Sequence, residues 1–143
     1  MAGDLTRALA SEAAALTLTP EDVEILIDRA VMLGSAGKYW DALDDLNHAH
    51  DLAPKRADIL ILRATAYRYL QSFDLARENI DQALELAPDD PEGLVERGSL
   101  RKATGDLSGA RRDFVDAARL AGNDPIGDAA RLNLEQLDVK TAP

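Results

Sequence analysis

The chain has 143 residues, a length suited to one domain, and its 46% hydrophobic and 29% charged content fits a folded globular protein rather than a disordered one. It has no cysteine, which excludes disulfides, thiolate zinc sites and a cysteine nucleophile, and its two histidines leave little for metal or acid-base work. A net charge of -10 argues against general nucleic-acid binding, which needs a basic face to displace counterions.

No stretch is long and apolar enough for a membrane span. The markedly apolar runs, 13–18 and 59–62, fall far short of the roughly 20 residues required. Asp4, Arg7 and Glu12 interrupt any signal-peptide core near the N-terminus. No membrane insertion is expected, and the compartment, cytoplasm or periplasm, stays open.

The dominant signal is a 34-residue period. Pro20, Pro54 and Pro88 keep it, as do Ala8, Ala42, Ala76 and Ala110; Ala15, Ala49, Ala83 and Ala117; and Leu18, Leu52, Leu86 and Leu120. In chain order, residues 1–22 hold a single helix in the register of second helices. Residues 23–56, 57–90 and 91–124 are three helix-turn-helix units, and 125–143 form a capping helix and tail. Eight helices result. Within each unit, Ala30, Ala64 and Gly98 are small enough to let the paired helices approach, and Ala42, Leu46 and Ala49 form an amphipathic stripe on a second helix. Gly37-Lys38 and Gly105-Asp106 read as turns. Thr19-Pro20, Asp90-Pro91 and Asp124-Pro125 read as helix starts, each with a capping oxygen before a proline suited to the first turn. In the last helix, Ile126, Ala130, Leu134 and Leu137 give one apolar stripe backed by Asp128, Arg131 and Glu135, as a solenoid's end requires.

These residues resemble a tetratricopeptide repeat (TPR) protein. Ala30, Leu33, Tyr39, Ala42, Leu46, Ala49 and Pro54 match the family pattern, and Ala64, Tyr67, Phe73, Ala76, Ile80, Ala83 and Pro88 match it better. The third unit departs, with Arg101 where Tyr67 stands and Gly122 where Pro88 stands, so the resemblance does not imply a tight joint after it. It implies an all-α, right-handed α-solenoid of about three repeats, with an N-terminal half-repeat and a C-terminal cap.

No catalytic constellation accompanies this pattern: there is no phosphate loop, nucleophile elbow or zinc-protease spacing, so no enzyme and no cofactor is expected. His48 and His50 read as solvated residues of the outer surface, although Asp44 and His48, one turn apart, could share a weak surface metal. Asp89, Asp90 and Glu92 cluster at a helix start, where carboxylates suit the dipole.

The resemblance implies that first helices line a concave groove. By register the groove residues are Glu24, Ile27, Asp28, Val31 and Ser35; then Asp58, Ile61, Leu62, Thr65, Arg68 and Tyr69; then Glu92, Val95, Glu96, Ser99 and Lys102. Relatives that clamp an acidic chaperone tail use Lys, Arg and Asn at positions held here by Ile27, Val31, Leu62, Glu92 and Glu96, so such a tail is not expected as a partner. The expected partner is another protein, offering an amphipathic helix or peptide with apolar anchors and basic flanks to an apolar strip rimmed by acids. Two alternatives remain at this level. One is a self-associating scaffold, a homo-oligomer formed through Leu5, Leu9 and Leu16 of the N-terminal helix; the other is an accessory domain of a longer protein.

Overall fold

The computed structural model describes the backbone of residues 2–18 and 22–141, and the side chains of residues 3–15 and 22–139. Among the described residues there are eight α-helices and no strands: α1 (Ala2–Leu18), α2 (Val23–Ser35), α3 (Tyr39–Leu52), α4 (Ala57–Tyr69), α5 (Phe73–Leu86), α6 (Pro91–Thr104), α7 (Leu107–Ala121) and α8 (Pro125–Thr141). They form three antiparallel pairs, α2–α3, α4–α5 and α6–α7, preceded by α1 and closed by α8.

Helix starts follow the capping chemistry. Asp90 accepts from the Glu92 backbone N–H ahead of Pro91, and Asp124 accepts from that of Ile126 ahead of Pro125. Helix α2 begins at Val23, capped by Asp22, which accepts from Glu24 and Ile25. The Thr19-Pro20 start lies outside the described residues. The turn inside each pair places one residue at positive φ: Gly37 at 76° and Gly105 at 94°, but Gln71 at 61° in the middle pair. A residue with a Cβ is strained there.

Within each pair the small position faces the large one on its partner. Ala30, Ala64 and Gly98 are buried, as are Leu46, Ile80 and Phe114 34 residues apart on the second helices. Burying each of these larger side chains contributes about 1.5–3 kcal/mol. A polar pair repeats as well. Arg29 donates twice to Asp45, at 2.7 and 2.5 Å, and Arg97 donates twice to Asp113, at 3.1 and 2.8 Å. In the middle pair the same positions hold Arg63 and Asn79. Asn79 donates to the Leu75 carbonyl instead, and Arg63 Nε is buried with no hydrogen-bond partner among the described residues.

Helix α8 packs closely on α6 and α7, so the joint after the third pair is tight despite Gly122 standing in the proline position. The reason is a second glycine. A Cβ on Gly127 would lie 2.5 Å from the Gly122 carbonyl oxygen, so its absence lets α8 settle against α7, and Arg131 donates to that same carbonyl at 3.1 Å. Ala130 and Leu137 of α8 are buried, while Leu132 and Val139 are exposed.

Curvature follows from which helices touch. The backbone of α2 approaches that of α4, α4 that of α6, and α6 that of α8, whereas among the described residues the backbones of α3, α5 and α7 stay apart from one another. First helices therefore crowd the inner, concave face, and second helices fan out on the convex one. No helix among the described residues is long and apolar enough to cross a membrane.

Candidate functional site

The inner face presents most of the expected residues, but not all of them to solvent. Ile27, 9% exposed, and Ile61, 7% exposed, are core residues, and Val95 is half-buried against the same core as Ile61. Their side chains lie between neighbouring first helices, the face that helix crowding along a concave surface must fill with apolar atoms. Val31 and Tyr69 are exposed, at 45% and 55%, and Leu62 is half-exposed.

The acidic rim is also smaller than the sequence suggests. Glu96 is buried, taking 2.6 and 3.1 Å hydrogen bonds from Arg68 and a 2.8 Å bond from the Thr65 hydroxyl. It is therefore a neutralised structural anion rather than a free one. A carboxylate can sit in such a site only with its charge paired, and the guanidinium of the preceding repeat supplies that pairing. Glu24 and Asp58 are both bound by Arg56, whose guanidinium donates to Asp58 at 3.1 and 2.6 Å. Those hydrogen bonds hold the Asp58 carboxyl below its ordinary range. Asp28 and Glu92 are exposed and have no hydrogen-bonded or ion-paired side chain among the described residues. Ser99 is half-buried, and Lys102 donates to Asn133 of α8 at 2.7 Å.

Between the first and second repeats the groove opens into a cleft of about 390 Å³. Val31, Ser35, Leu62, Thr65 and Tyr69 line its mouth, and Ala30, Gly34, Tyr39, Ala42, Leu46 and Ala66 form its floor and walls. The Tyr39 and Tyr69 rings stack with centroids 4.9 Å apart and planes 2° from parallel. The Arg68 guanidinium lies 4.6 Å from the Tyr69 ring centroid, so Glu96, Arg68, Tyr69 and Tyr39 form one line across the three repeats. Tyr39 and Gly34 were not among the groove residues read from the sequence. Tyr39 reads there as the large residue between paired helices, and it becomes a wall only because Tyr69 stacks on it. Gly34 had a legible signal, since it stands in register with Arg68 and Lys102.

Other expected features fall elsewhere. His48 is exposed on the convex side beside exposed Asp44. His50 is not solvated as expected: its Nδ1 is buried without a hydrogen-bond partner among the described residues. Burial, and then the charge of Arg63, hold the His50 imidazole below its ordinary pKa. In α1, Leu9 packs inward on the core of the first repeat rather than outward, and the Leu16 side chain lies outside the described residues.

No protein-family model matches the sequence. No curated protein matches it. Solved structures do. The first TPR domain of RPAP3 (Spaghetti), bound to the HSP90 peptide SRMEEVD, is 24% identical with a TM-score of 0.71, covering 85% of this chain and 94% of that one. Cut9, in the Cut9–Hcn1 hetero-tetramer of the APC/C, is 20% identical with a TM-score of 0.89 over 97% of this chain, which spans only 28% of the matched chain. The type III secretion translocator chaperone SycD of Yersinia enterocolitica is 18% identical with a TM-score of 0.73, covering 85% and 95% of the two chains. At these identities the likeness is one of fold.

Proposed function

We propose that this chain, which has the tetratricopeptide-repeat fold, is a non-catalytic protein–protein interaction module whose concave face holds a peptide or amphipathic helix of another protein. The observation that carries this reading is the aromatic-walled cleft on the inner face, where Val31, Leu62 and Tyr69 leave apolar surface open to solvent. Exposed apolar and aromatic groups around a concavity are what a partner's side chains bury, and tyrosine is enriched among the residues that dominate binding energy. The same general use of the fold is documented in the RPAP3 structure, whose bound ligand is a peptide.

The partner is not an acidic chaperone tail. A carboxylate clamp needs unpaired cations facing the groove, and the positions that would supply them hold Ile27, Val31, Leu62, Glu92 and Glu96. Among the described residues, the cations Arg56, Arg68 and Lys102 at the inner face are held by Glu24 and Asp58, by Glu96 and by Asn133. Apolar anchors with basic flanks fit better, because the groove charges left without a partner among the described residues, Asp28 and Glu92, are negative, as is the chain as a whole.

The test is affinity capture from a lysate of the source organism with three baits: wild type, Val31→Lys/Tyr69→Ala, and the convex-face control Val115→Lys. Circular dichroism first establishes that all three are folded. A protein retained by the wild type and the control and lost by the groove variant identifies the partner. Equal retention by all three refutes the concave-face reading.

A further inference from the structure

The groove is not equally open along its length, and the difference traces to one row of residues. At the second joint Arg68 of α4 reaches across to Glu96 of α6, and at the third Lys102 of α6 reaches across to Asn133 of α8. Each of these side chains bridges one inner-face helix to the next. The row begins at Gly34, which has no side chain to reach across, and its counterpart to Glu96 is Leu62. A Cβ built on Gly34 meets nothing within 4 Å. The first joint therefore keeps an unbridged apolar floor, walled by the Tyr39–Tyr69 stack, which has no equivalent at the second joint because Phe73 and Ala103 stand there.

Two inner-face acids, Asp28 and Glu92, have exposed side chains without a partner among the described residues, and of these Asp28 lies beside the first joint. Glu24 and Asp58 share Arg56, and Glu96 is neutralised by Arg68. Asp28, in register with Leu62 and Glu96 and one turn before Val31 on the same face of α2, is the acid left beside the first joint without a partner among the described residues.

We infer that binding is localised to the joint between the first and second repeats, where the cleft takes one large apolar side chain (Leu, Met, Phe or Trp) from a protein segment that places a Lys or Arg against Asp28. The inference rests on the groove reading above and narrows it to one anchor and one charge. The second and third joints are bridged by the chain's own side chains and contribute mainly to holding the curvature that shapes the first.

The test selects a random twelve-residue peptide library displayed on phage against the intact chain. Peptides enriched in it are synthesised with a fluorophore and titrated by anisotropy. Gly34→Arg/Leu62→Glu copies the bridge of the second joint into the first; Gly34→Leu fills the cleft without a charge, and serves if the double variant does not fold. Asp28→Lys reverses the rim charge, and Ser99→Arg obstructs the second joint as a control. The expected peptides share a large apolar residue with a Lys or Arg three or four positions away. Closing the cleft weakens them at least about tenfold, as loss of a central anchor does. Asp28→Lys weakens them severalfold, and Ser99→Arg leaves them unchanged. Peptides lost with Ser99→Arg and kept by both Gly34 variants overturn the localisation while leaving the groove reading in place. A selection that enriches nothing, or peptides indifferent to every variant, overturns both.

Discussion

Substituting Asp113 by Asn tests how the repeats are held together, because the chain already contains the experiment in its middle unit. Asp113 is 2% exposed and accepts three hydrogen bonds, from Arg97 Nε at 3.1 Å, Arg97 Nη2 at 2.8 Å and Arg101 Nη1 at 2.8 Å. Asn keeps the shape and removes the charge. Leaving a buried ion without its partner costs about 3–5 kcal/mol. Here the two guanidinium groups keep 29% and 32% of their exposure and recover part of that from water. A loss of about 2–3 kcal/mol follows, the scale of a hydrogen bond to a charged group. For a domain of this size that lowers Tm by about 8 °C. The reverse substitution, Asn79→Asp, supplies Arg63 with the acceptor its Nε lacks and is expected to add about 1–2 kcal/mol. Thermal and urea unfolding followed by circular dichroism measure both. An Asn79→Asp variant that melts no higher than the wild type refutes the claim that the middle repeat is short of an acceptor, and a neutral Asp113→Asn refutes the claim that these pairs lock each repeat.

Gln71→Gly should raise stability by about 0.5–1 kcal/mol, since φ is 61° at Gln71 and glycine holds the same turn position in the flanking repeats. A lower Tm in this variant would contradict the strain argument. Because the folded chain holds the His50 pKa below its ordinary value of about 6.5, the unfolded chain binds the proton first; stability is therefore expected to be full above that pH and to fall as pH drops through it. His50→Gln should flatten the urea midpoint between about pH 7 and pH 5, and an unchanged slope would refute the assignment. The SRMEEVD peptide seen in the RPAP3 structure should show no saturable binding in a fluorescence titration, whereas saturation would show that the chain has a carboxylate clamp after all.

The fold was legible because a 34-residue period repeats the demands of packing: a small residue must recur wherever two helices cross, so Ala30, Ala64 and Gly98 mark the architecture without any knowledge of coordinates. The tight last joint was not, because it depends on Gly127 meeting Gly122, a contact between residues that a repeat comparison treats as exceptions. The site was half legible. Register puts Val31, Leu62, Thr65 and Tyr69 on the inner face, and they line the cleft together. Register alone cannot say how deep each residue sits, so it groups Ile27 and Ile61 with them although helix crowding buries both. Nor does it show pairing between repeats, so Glu96 read as a free acid although Arg68, 28 positions earlier, neutralises it. The Arg63–Asn79 mismatch was in principle readable, since Arg29, Arg63, Arg97 and Arg131 keep the same period while Asp45 and Asp113 are interrupted by Asn79.

The inner face at the first joint is proposed to hold another protein. The most direct test replaces Val31 by a photoreactive benzophenone amino acid in the full chain, expressed in the source organism, with the same replacement at Val115 on the convex face. Irradiation should yield an adduct of defined mass from position 31 and none from position 115. Adducts from position 115 alone, or from neither position, would contradict the account.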